Sequence, residues 1–155
     1  ASQKKVQQII SPPRLTSILM VSYLSFFGLY LNYYYTQFAS NSAEAFNDGY
    51  LEAMSLAHAY EQGKDGKPEV DRVIFTSDYG QPYIYALFIR KTNPIWYQGG
   101  SLRKYQFANK IDQGDLSREN ALIVASQTDD VPAEKADHLI YGSDGLVRFK
   151  IYYLD

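Results

Sequence analysis

Between Arg14 and Glu44 the chain carries no Asp, Glu, Lys, Arg or His, and its densest stretch, LTSILMVSYLSFFGLYLNYYY from Leu15 to Tyr35, is nearly all apolar or aromatic. A hydrocarbon core of roughly 30 Å needs about 20 helical residues to cross it, and this stretch has that length. The pattern predicts a transmembrane helix over residues 15–36. The same run would also suit a buried helix or a pair of strands in a soluble core, because Ser17, Ser22, Ser25, Asn32 and the tyrosines dilute it. A secretory signal fits less well, since the run is long and no small-residue cleavage site follows it directly.

Downstream the period changes. Asn41 and Glu44 have the spacing of a capping box, and Phe46, Tyr50, Ala53, Met54, Ala57 and Tyr60 recur at helical intervals. An amphipathic helix ending near Gly63 follows from that. After the polar turn GKDGKPE, Arg72–Thr76 (RVIFT) reads as a short buried strand. In Ser77-Asp78-Tyr79-Gly80-Gln81-Pro82, Asp78 or Gln81 is placed to cap a helix and Pro82 suits its first turn. The helix itself, Tyr83–Arg90, is apolar on nearly every face and so calls for cover on more than one side. Asn93-Pro94 ends it, and Ile95–Asp115 reads as an irregular loop with one strand near Tyr105–Asn109. Ala121–Ser126 (ALIVAS) and His138–Tyr141 are further strands. Leu146–Leu154 alternates as the last, and Ser143-Asp144-Gly145 joins it to its predecessor as a hairpin. Together these predict an α/β fold: an N-terminal hydrophobic helix, then a small layered domain with a mixed sheet of about four to five strands and a C-terminal β-hairpin.

Charge adds direction. Lys4, Lys5 and Arg14 precede the apolar run with no acidic residue among them, so the positive-inside rule makes residues 1–14 an inner basic segment and residues 37–155 an extracytoplasmic domain in the cell membrane. Tyr30, Tyr33, Tyr34 and Tyr35 would then form an aromatic belt at the outer headgroups. The 155 residues amount to one such domain plus the span, and 15% of them are aromatic, with Tyr outnumbering Phe. A formal net charge of −2 and a pI of about 5.7 remove the basic footprint of a nucleic-acid binder. The absence of Cys excludes disulfides, thiolate metal sites and cysteine nucleophiles.

The order of these features also resembles a known family. An aromatic cluster at Tyr33-Tyr34-Tyr35 is followed by a helix with Phe46-x-x-Gly49-Tyr50-x-x-Ala53, then a strand. Next come Tyr79-Gly80-Gln81-Pro82-Tyr83-Ile84-Tyr85-x-Leu87-Phe88 and Asn93-Pro94-x-x-Tyr97-Gln98. The closing segment has Asp137-His138-Leu139-Ile140-Tyr141, then Asp144-Gly145 and an alternating strand. Over roughly residues 15–155 this resembles the C-terminal part of bacterial polytopic glycosyltransferases related to protein O-mannosyltransferases and lipid A aminoarabinose transferases. The resemblance implies a membrane enzyme that takes sugar from a polyprenyl-phosphate carrier and hands it to a cell-envelope acceptor on the extracytoplasmic side. The chain would be the last span and a non-catalytic outer domain. Its partners would be the upstream transmembrane part of the same polypeptide, the lipid bilayer, and a lipid-linked sugar or envelope glycan. The family's acidic catalytic residue lies in a first outer loop that this sequence does not contain, so no catalytic residue carries over. The other functional class in play is a membrane-anchored module that binds envelope glycans.

The residues on their own offer little catalytic chemistry. There is no GxGxxG, Walker loop, GxSxG or HExxH, and no cofactor or metal is implied. His58 and His138 read as surface or interface residues. Asp129-Asp130 reads as a solvated turn, since neighbours in an extended chain point opposite ways. Two loops are candidate substrate sites. Gln98-Gly99-Gly100-Ser101 with Arg103 and Lys104 has glycines for close backbone approach and cations for a phosphate. Ser77, Asp78, Tyr79 and Gln81 follow the carboxyl end of a strand, where α/β sheets usually bind ligands. If Arg72–Thr76 lies parallel to Ala121–Ser126, this rim meets Gln127 and Thr128, with Tyr79 placed to stack on a sugar.

Overall fold

The computed structural model describes residues 12–43, 45–97, 102 and 104–155. Lys4, Lys5, Glu44, Gln98 and Arg103 lie outside the described residues. Two units emerge, one ending at Ser42 and the other spanning Ala43–Asp155.

The first unit is a continuous helix over Pro12–Ser42. It comprises α1 (Pro12–Tyr33), a π-helical turn at Tyr34–Phe38 and a last α turn at Ala39–Ser42. None of its described residues from Pro12 to Phe38 is buried, and Ile18, Leu24 and Phe26 are more than half exposed. Among the described residues nothing covers its large apolar side chains, so no packed core forms around this run within them. Three of its hydroxyls are satisfied within the helix: Thr16, Ser17 and Ser25 donate to the carbonyls of Pro12, Pro13 and Val21 at 3.0, 2.9 and 2.8 Å. That back-bonding removes the polar cost that a hydroxyl would otherwise bring into an apolar medium. The helix is long and apolar enough to cross a membrane. Tyr30 stacks on Tyr34, and Tyr34 on Phe38, at centroid distances of 6.0 and 5.3 Å.

The continuation to Ser42 corrects one expectation. Asn41 sits in the last turn of the first helix and does not cap the next. That next helix, α2 (Tyr50–Gln62), starts only after Asn47 and Gly49 turn the chain at φ of 52° and 84°, which leaves Phe46 outside it. Tyr50, Ala53, Met54, Ala57 and Tyr60 are its buried stripe, and Gly63 closes it in the left-handed conformation at φ 61°.

Five strands make one mixed sheet: β1 (Arg72–Thr76), β2 (Tyr105–Ala108), β3 (Ala121–Ser126), β4 (His138–Tyr141) and β5 (Val147–Leu154), in the order β2-β1-β3-β5-β4. β1 is parallel to both neighbours, pairing Val73 with Tyr105 and with Leu122. β5 is antiparallel to β3 and β4, so the C-terminal hairpin is present. Alternation sends Val73, Phe75, Leu122, Val124, Phe149 and Ile151 to one face, where α2 packs. Ile74, Ile123, Ala125 and Tyr152 face the other side, under Ile111, Leu116, Val131 and Ala136 from the connections. Both faces of β3 are thereby covered, which explains its unbroken apolar run.

α3 (Pro82–Ile89) and the short α4 (Pro94–Tyr97) link β1 to β2. Only Pro82 and Ala86 of α3 are buried, while Ile84 is 50% and Phe88 71% exposed. The expected cover on several sides is therefore absent among the described residues.

Candidate functional site

β1 and β3 end side by side, and their chains leave in opposite directions. From β1 the chain passes to α3 on the α2 face, whereas from β3 it passes to the segment carrying Val131 and Ala136 on the other face. Such a divergence opens a crevice in many α/β sheets. Here side chains stitch it shut. Asp78 Oδ2 accepts from Ser126 Oγ at 2.9 Å and from Thr128 Oγ1, and the Gln127 amide donates to the Tyr79 hydroxyl at 3.3 Å. The rim read from sequence thus exists, with Ser77 bonded through its amide to the Ala108 carbonyl.

The side chains of this rim are engaged in holding the fold. Asp78 caps no helix: Gln81 occupies the N-cap position of α3 with no side-chain cap bond and accepts from Tyr83 at 3.1 Å. The Tyr79 ring stands edge-on to Phe149 at 5.5 Å. In the second sequence candidate, Lys104 Nζ contacts Glu69 Oε1 at 2.6 Å and the Glu61 carbonyl at 3.1 Å. That cation is spent on a structural tie.

Asp129 is not a solvated turn residue. It is 6% exposed and accepts the amides of Ile111 and Ser126 at 2.8 and 2.7 Å. Beside it, buried Lys150 donates to the carbonyls of Asp129 and Val131 at 2.9 and 3.0 Å. Burial pulls the Lys150 ammonium below its ordinary value, against the pull of Asp129, Asp130 and Glu134. His58 Nδ1 pairs with Glu61 Oε2 at 2.9 Å, and His138 Nε2 lies 3.2 Å from Lys67 Nζ. No group of three metal-ligating side chains occurs among the described residues.

Sequence reasoning missed a cleft of about 530 Å³ beside the N-terminus of α2. Its walls are Phe46, Tyr85 and Tyr141, and its polar groups come from Asn47, Asp48 and Glu52. Phe46 and Tyr141 are 71% and 55% exposed. The Asn47 amide lies 3.4 Å from the Tyr85 hydroxyl, and the Tyr85 ring stacks on buried Tyr50 at 4.4 Å. Tyr50 carries a buried hydroxyl with no hydrogen-bond partner among the described residues. Burial, then Tyr85, Asp78 and Tyr79, push its phenol well above the ordinary value.

The strained turn before α2 forms one lip. Asp48 Oδ2 accepts the amide and hydroxyl of Ser143 at 2.6 Å each, tying that turn to the β4–β5 hairpin. These bonds hold the Asp48 carboxyl below its usual range. The signal that could have found the cleft was the polar Asn47-Asp48-Gly49 between Phe46 and Tyr50, which marks a turn lined by aromatics.

The chain matches no family model, no curated protein and no solved structure.

Proposed function

We propose that this chain is the last membrane span and non-catalytic outer domain of a polytopic glycosyltransferase that moves sugar from a polyprenyl-phosphate carrier to a cell-envelope acceptor. The observation that carries the reading is an uncovered apolar helix, Pro12–Ser42, directly followed by a separate α/β unit. The YGQPYIY and NPxxYQ strings support it through the family resemblance. The cation Arg14 ahead of the span favours an outer location for residues after about 40.

A topology reporter fused after Asp155 tests the arrangement: it is active outside the cytoplasm if the reading holds, and activity confined to the cytoplasm overturns it. We expect the purified chain to show no transfer from any polyprenyl-linked sugar, because the sequence does not contain the family's acidic loop. Transfer abolished by substituting one of its own carboxylates would relocate the chemistry to this domain. A membrane-anchored glycan-binding module is the second reading, favoured by the aromatic and carboxylate lining of the cleft at α2.

A further inference from the structure

The geometry points to the α2 cleft as a binding site for a neutral oligosaccharide, gripped between Phe46, Tyr85 and Tyr141 and hydrogen-bonded by Asn47, Asp48 and Glu52. This deepens the glycan-binding reading, and rests on it, by naming the site and the ligand class.

The lining sets the class. Aromatic faces pack against the C–H face of a pyranose, and carboxylates and amides accept from or donate to its hydroxyls. Among the described residues lining this first recess the charged side chains are Asp48 and Glu52, so a phosphate or uronate placed there meets repulsion. Glu52 stands exposed on α2, whereas Asp48 is fixed by Ser143, which makes one acceptor adjustable and the other preset.

Length follows from a second recess of about 330 Å³ lined by Leu56, Ala59, Asp65 and Lys67, which shares Glu52 and Ser55 with the first. Neighbouring recesses along the exposed side of α2 would accommodate more than one sugar ring. The lips are preset by backbone geometry: Asn47 at φ 52° and Gly49 at φ 84° fix the turn that presents Phe46 and Asp48. A preformed lip lowers the ordering cost of binding.

The test uses the full chain in detergent micelles, with neutral methyl glycosides, their β-linked disaccharides and methyl glucuronide as probes in NMR titrations. We expect a dissociation constant on the order of 1 mM for at least one neutral monosaccharide and tighter binding of its disaccharide. Shifts should centre on Phe46, Glu52, Tyr85 and Tyr141, and the glucuronide should bind more weakly. Tyr141→Ala and Glu52→Gln alter exposed side chains, and each should weaken binding about tenfold with the thermal transition unchanged. Shifts that map to another surface, or binding untouched by both variants, overturn the cleft assignment while leaving a glycan-binding module standing. No perturbation by any neutral probe overturns both. A glucuronide bound as tightly as the neutral glycoside removes the charge argument and with it the proposal.

Discussion

Asp78 shows how one side chain can close a crevice. Its carboxylate joins the end of β1 to Ser126 and Thr128 beyond β3, and the neighbouring Tyr79 takes the Gln127 amide. Two parallel strands are thereby tied at the point where their chains separate. Asp78→Ala removes the acceptor from both hydroxyls, and we expect a loss of about 1–3 kcal/mol, read as a lower denaturation midpoint with an unchanged denaturant slope. If stability is unaffected, the stitch carries no energy. Asp129 and Lys150 do similar work beneath the sheet, where a buried carboxylate accepts from two amides and a buried ammonium donates to the carbonyls of Gln127, Asp129 and Val131. Each satisfies loop backbone that the sheet itself cannot reach.

At the level of elements, α2 is set by its two ends. Gly63 adopts φ 61° and donates back to Tyr60, and Gly49 at φ 84° starts the helix against the sheet. A Cβ on Gly49 would meet Ile140 Cγ2 at 3.1 Å, so the position combines backbone strain with a close approach. Gly49→Ala should cost about 1–3 kcal/mol, visible in thermal unfolding, and it should shift the amide resonances of Asp48 and Ser143 that frame the cleft. A neutral effect would mean that the turn relaxes freely. α3 differs in kind. Its Ile84 and Phe88 stay exposed because Pro82, Ala86 and the half-buried Tyr85, Leu87 and Ile89 are the residues that face the core, although the sequence is apolar all round.

For the whole α/β unit, buried phenols make stability depend on alkaline pH. Burial is the leading cause that raises Tyr50, Tyr105 and Tyr152, the last to about 12. A group whose folded value lies above its unfolded value of 10.0 holds its full contribution below that value and loses it as pH climbs through the folded one. Lys150 acts oppositely, favouring the fold as pH approaches its ordinary 10.5 from below. The expected outcome is a fold stable to about pH 10, then a cooperative loss of near-UV dichroism coinciding with a step in phenolate absorbance. Gradual ionisation of every tyrosine with the dichroism intact would show that these rings are open to water.

The sequence by itself determined whatever depends on local pattern. The uncharged run from Leu15 to Tyr35 specified a helix, RVIFT and ALIVAS specified strands at the bounds observed, and the Ser143-Asp144-Gly145 turn specified the final hairpin. The parallel pairing of β1 with β3 was legible too, because a long connection returns the chain in the same direction. What required the tertiary structure was the use of polar side chains. Asp78 read as a helix cap or a ligand contact, and only the position of Ser126 and Thr128, remote in sequence, made it a tie between strands instead. The cleft was hidden for the same reason: Phe46, Tyr85 and Tyr141 come from three separate segments. Local propensity acts over a few residues, whereas a concave surface depends on how distant segments pack, and packing decided where this protein has one.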